Sequence, residues 1–170
     1  KVKFIKLFLI YICLLFSLTG MAQKKQLQAV RDQIKSGKEL TKAENTLRGL
    51  LVDSASKKNN KIWLLLCDAL TKQYEQGNEK LYLKQKYDTA ALFTVTRKLY
   101  DVMSRFDSLD AQPDAKGRVR AKYRAKHAEF LNSIRPNLFN GGSYFIHKKD
   151  YKTAFDYYSD YLLSANYPLF

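Results

Sequence analysis

The sequence predicts an all-α protein built from antiparallel helix–turn–helix pairs. Two observations carry this expectation. Apolar residues recur at spacings of three and four, most clearly at Leu92, Val95, Leu99, Val102, Phe106 and Leu109. That is the period of a helix with one buried stripe. Breakers are also scarce: 7 glycines and 3 prolines in 170 residues suit long helices. No stretch alternates with the period of a strand.

The chain opens on Lys1, Lys3 and Lys6, followed by a largely apolar run from Leu7 to Leu18 and then Thr19-Gly20-Met21-Ala22. A charged start, a short apolar middle and a small-x-small exit form the layout of a secretory signal peptide. Residues 1–22 are therefore expected to be a signal and 23–170 a helical domain. The apolar run is short for a membrane span, although an uncleaved N-terminal anchor is the alternative. Cys13 follows Ile12, not the small residue that lipid attachment needs. A signal ending in Ala22-Gln23 resembles those common in Bacteroidota, which implies export to the periplasm or the outer-membrane surface.

Beyond the signal, the spacing predicts a helix over 24–35 with Leu27, Val30 and Ile34 inward, ended by Gly37. A second begins near Thr41, turns Ala43, Leu47, Leu50 and Leu51 inward, and fades over 56–60. A third runs over 61–76, with Gly77-Asn78 either capping it or overrun by a helix reaching Gln85. The fourth spans 89–109. Asp110 to Asp114 reads as a loop, and Pro113 and Asp114 suit the start of a fifth helix over 115–134. A bend is expected at Arg135-Pro136, since proline cannot donate a backbone hydrogen bond, with helix continuing to His147. The last helix covers 151–165.

The final 34-residue window, 137–170, adds a more specific pattern. Leu138, Gly141, Gly142 and Phe145 are followed by Ala154, Tyr158, Tyr161 and Asn166, with Lys149-Asp150-Tyr151 between the two sets. These offsets resemble the tetratricopeptide repeat. Gly142 and Ala154 would let the paired helices approach closely, with Phe145 and Tyr158 filling the space beside them. Tyr161 stands where the family has a small residue, and Pro168 comes two residues late. Leu27, Val30, Arg31, Ile34, Ala43, Leu47 and Leu50 match a first unit more weakly, with Arg31 marking it as an atypical terminal cap. A second weak unit starts at Trp63, Cys67 and Leu70, and its turn at residues 86–90 arrives late.

The resemblance implies a right-handed solenoid that presents a surface and does no chemistry. Its concave face would be lined by Pro136, Phe139, Ser143, Ile146 and His147. Phe139 and Ser143 stand where one subclass of the family has the Lys and Asn of a carboxylate clamp, so that clamp is not expected. The resemblance also makes Tyr167-Pro168-Leu169-Phe170 read as the approach to another helix, in which case the sequence is truncated at its C-terminus.

The formal net charge is +14. Its densest run is Lys116, Arg118, Arg120, Lys122, Arg124 and Lys126, which on a helix forms two stripes at i,i+4. Arg118, Arg120, Lys122, Arg124 and Lys126 are thus candidates to meet an anionic glycan or lipid surface. A plain solvated helix face is the simpler reading of them, and export disfavours nucleic acid.

His127 and His147 are the two histidines and lack metal-site spacing, so no metal is expected. Cys67 sits in an apolar run and reads as a buried core residue. Without a nucleophile elbow, P-loop or dinucleotide fingerprint, neither catalytic residues nor a cofactor are expected. The reading is a non-catalytic envelope scaffold that binds another protein. The alternative is a structural envelope component that meets an anionic glycan or membrane surface through the basic helix 116–126.

Overall fold

The computed structural model describes residues 22–170, and most of the expected export signal lies outside the described residues. Among the described residues no strand forms. The helices are α1 (22–36), α2 (Leu40–Leu50), α3 (Asn60–Tyr82), α4 (Thr89–Asp110), α5 (Arg124–Ile134), α6 (Pro136–His147) and α7 (Tyr151–Ser164), with a 3-10 turn at Ser56–Lys58.

Short polar side chains fix several starts. The side-chain oxygens of Asn59, Asp88 and Asp150 accept the backbone N–H of Lys61, Ala90 and Thr153, at 3.0, 2.9 and 3.1 Å. Each satisfies one donor that a helix N-terminus leaves free. Gly37 ends α1 at φ 69°, a left-handed backbone that glycine adopts cheaply. The Gln76 amide then donates to its carbonyl at 2.9 Å and ties this turn to α3.

Helices adjacent in sequence pack together: α2 on α3, α3 on α4, and α6 on α7, while α4 also touches α5, α6 and α7. The core between them is one cluster containing Leu47, Ile62, Leu66, Leu70, Leu99, Phe106, Leu131, Leu138 and Tyr157. Of the predicted α4 stripe, Leu92, Val95, Leu99, Val102 and Phe106 are buried, and Leu109 is half-buried. Burial of such side chains stabilises by roughly 1.5–3 kcal/mol each.

Two boundaries needed the structure. Helix α3 overruns Gly77, which is buried inside it. A methyl group there would stand 2.6 Å from the Tyr87 hydroxyl, so the glycine admits the ring that ends the α3–α4 link. The bend at Pro136 is as expected, with proline at the first position of α6. Just before it, Arg135 N–H turns to the Asn132 carbonyl, one residue short of the α-helical partner, Leu131. The freed Leu131 carbonyl accepts the Tyr100 hydroxyl of α4 at 2.7 Å. The break in one helix thereby becomes a cross-link to another.

The expected helix over 115–134 is corrected. Residues 115–123 lie outside any helix, and α5 starts only at Arg124. The Asp114 carboxylate accepts the backbone N–H groups of Lys116 and Arg118, at 2.8 and 3.0 Å, and Gly117 adopts φ 74°. A side chain that satisfies backbone donors locally competes with helix formation.

Candidate functional site

Helices α6 and α7 form a closely packed hairpin. Gly141 and Gly142 leave room for the rings of Tyr157 and Tyr158. A methyl group on either glycine would stand 2.6 Å from ring carbon. Ala154 is fully buried beside them. Phe145 stacks on Tyr157 with centroids 5.4 Å apart and planes 19° apart.

The residues expected to meet a partner lie along α6. Phe139 is 49% exposed and sets its ring against the edges of Tyr158 and Tyr161. It also borders a depression of about 320 Å³ with Asn132, Arg135, Pro136, Asn140 and Tyr161. The Arg135 guanidinium lies 4.3 Å over the Tyr161 ring and donates to the Tyr161 carbonyl at 2.9 Å. Ile146 is exposed. Ser143 is tied to the Tyr158 hydroxyl at 3.0 Å, and the His147 ring contacts the Ser143 carbonyl at 2.7 Å. Phe139 and Ile146 are thus free for contact, whereas Ser143 serves the hairpin. On α7, Tyr151, Phe155 and Leu162 are also exposed. Their spacing of four and seven was visible in the sequence as an apolar stripe, but nothing there told a covered stripe from an open one.

The basic segment has a different character from the expected helix. Arg118 pairs with Asp114 through two nitrogens at 2.9 and 2.7 Å. Arg124 pairs with the buried Asp107 in the same way at 2.9 and 2.7 Å. Both arginines are therefore already engaged with carboxylates. Lys122 lies 5.4 Å from the Tyr123 ring. Arg120, Lys122 and Lys126 have no ion-pair partner among the described residues.

A polar centre that sequence reasoning missed joins α2, α3 and α4. Glu44 is 2% exposed. It accepts Arg48 Nε at 2.8 Å, Lys98 Nζ at 2.9 Å and Gln73 Nε2 at 3.1 Å. Burial pushes its carboxyl up, but the hydrogen bonds from Lys98, Arg48 and Gln73 outweigh this and hold it below the ordinary carboxylate range. Beside it runs a groove of about 640 Å³ between α2, α4 and α7, floored by the aromatic cluster around Tyr157. Arg97 crosses it, donating Nε to Asp160 and laying its guanidinium 4.7 Å over the Tyr157 ring. No local motif marks this place, because Arg48 and Arg97 are brought together only by packing.

His127 is buried against Phe106 and Tyr123, and its Nδ1 has no hydrogen-bond partner among the described residues. Burial and nearby Lys126 lower its pKa, against the pull of Asp107 and Asp110. Cys67 is buried as expected. Among the described residues no group of His, Cys, Asp and Glu is arranged to hold a metal ion. Nor is any helix there long and apolar enough to cross a membrane. No protein-family model, curated protein or solved structure matches the chain.

Proposed function

We propose that this chain is a non-catalytic interaction scaffold of a bacterial cell envelope that binds another protein through the α6–α7 hairpin. The observation that carries the reading is the open apolar surface of that hairpin. Phe139, Ile146, Tyr151, Phe155 and Leu162 are all exposed on two tightly paired helices. Large aromatic and aliphatic side chains held on a rigid support are the usual anchors of protein interfaces. The packing of sequence neighbours onto one another supports a stacked, tetratricopeptide-like solenoid. Export belongs to the same reading through the Lys1–Ala22 pattern. N-terminal sequencing of the mature protein should then begin at Gln23.

The test places a photo-crosslinking residue at Phe139, at Phe155 and, as a control, at exposed Glu79 in the full chain expressed in its native cell. One protein recurring at the first two positions and missing at the third is the expected outcome. Identical products at all three positions would rule the hairpin out as the contact surface.

A further inference from the structure

We propose that the groove between α2, α4 and α7 binds a peptide segment by a single carboxylate, held between Arg48 and Arg97. Both arginines are positioned by protein carboxylates through Nε alone. Arg48 Nε donates to Glu44 and Arg97 Nε donates to Asp160. Among the described residues neither guanidinium has a second hydrogen-bond partner, and both line the groove. A guanidinium anchored this way keeps its terminal N–H groups for a second acceptor. Because the anchors already fix its orientation, less freedom is lost on binding.

The charges around the groove call for one anion. Asp160 is matched by Arg97, and Asp101 by Arg105 at 2.6 Å. Glu44 holds two cations, Arg48 and Lys98. One positive charge is therefore left over. A dense polyanion would meet the carboxylates of Asp101 and Asp160 that also line the groove. Tyr157 offers a sugar no open face to stack on, since one face lies against Phe145 and the ring is also covered by Arg97, and Tyr167 is set edge-on to Tyr100. Tyr100 is likewise buried. The volume of about 640 Å³ exceeds what a small inorganic ion fills and falls in the usual range for organic ligands of drug size, enough for one or two residues of a peptide. Phe145 and Tyr167, both half-buried, supply apolar wall for the residue beside the carboxylate.

This surface shares no residue with the exposed set Phe139, Ile146, Tyr151, Phe155 and Leu162, so either proposal can fail alone. The test titrates the full chain, by NMR, with the blocked peptide acetyl-Ala-Glu-Phe-amide. Parallel titrations use its Gln analogue, the free acid acetyl-Ala-Gln-Phe and inorganic phosphate. Saturable shifts at Thr94, Arg97 and Tyr167 with the Glu peptide or the free acid, lost with the Gln amide, are expected. Which of the two binds identifies a side-chain or a chain-terminal carboxylate. Arg97→Gln and Arg48→Gln should each weaken binding roughly tenfold, the scale of one charge-assisted contact. Arg97→Lys, which keeps the charge and loses the fork, should weaken it less. Equal binding of the Gln amide, tighter binding of phosphate, or no saturable shift in the unmodified protein would overturn the proposal.

Discussion

The ring of Tyr157 lies directly against Gly141: a methyl group on that glycine would stand 2.6 Å from Tyr157 Cδ1. The ring has little freedom to retreat. It is 1% exposed, stacked on Phe145 and covered by the Arg97 guanidinium. Replacing a mid-helix glycine by alanine gains about 1 kcal/mol of helix propensity, whereas overpacking a fixed neighbour costs about 1–3 kcal/mol. Gly141→Ala should therefore lower stability by about 1 kcal/mol. Gly142→Ala meets Tyr158, which is half-buried and freer to move, so its cost should be smaller. Denaturant midpoints of the two variants give the comparison, and an equal or reversed order would remove the argument.

Glu44→Gln keeps the shape of the side chain and removes the charge that Arg48 and Lys98 share. Breaking a buried ion pair is costly, but these partners are 40% and 37% exposed and regain water. A loss of about 2 kcal/mol is expected, below the range for fully buried pairs. The carboxyl's pKa is held below its ordinary 4.5. Its contribution is therefore present above that pH and lost as pH falls through the lower folded value. Acid unfolding of the Gln variant should show a shallower pH dependence below 4.5 than the parent.

His127 acts in a separate pH window. Its folded pKa lies below the ordinary 6.5. Above 6.5 its neutral form is compatible with both states. As pH falls below that, the unfolded chain takes up the proton first and stability declines until the folded value is passed. One proton limits the slope to about 1.4 kcal/mol per pH unit. Melting temperatures measured from pH 7.5 to 5 should fall in the parent and stay flatter in His127→Leu. Parallel curves would show that His127 does not titrate in this range.

Burial raises the Cys67 thiol well above the pH at which thiols ordinarily ionise. The thiolate is the reactive form, so iodoacetamide should leave Cys67 untouched in the folded protein at pH 8. Mass mapping of the Cys67 peptide should show modification there only once denaturant opens the core around Leu66 and Leu70.

The parts of the fold that were readable from sequence are those where a local signal and the packing agree. The α4 stripe is one, since Leu92 through Phe106 repeat with the helical period and most meet the core. Pro136 is another, because its missing N–H ends a helix that runs into it but suits the first turn of the next. The stretch 115–123 was misread because alternating basic residues fit a helical wheel, although no apolar stripe held it to the core before Tyr123 and Asp114 offered its backbone a local alternative. Of the expected contact residues, Phe139 and Ile146 are open and Ser143 is not. The sequence pattern placed them on one helix but carried no information about the Tyr158 hydroxyl across the hairpin. Glu44 was invisible for the same reason: its partners Gln73 and Lys98 come from other helices.

The pairing of Arg124 with Asp107 has a consequence for the segment between them. Asp110 also accepts the Tyr123 backbone N–H at 3.2 Å, so the excursion from 111 to 122 leaves and re-enters the bundle through one clasp. With its ends already joined, added residues near Lys116 or Gly117 cost the exposed Asp114–Arg118 contacts and the entropy of a closed loop, which grows slowly with length. The chain thus contains a permissive locus, where a tag or a whole domain can be inserted with the helices on either side still in register.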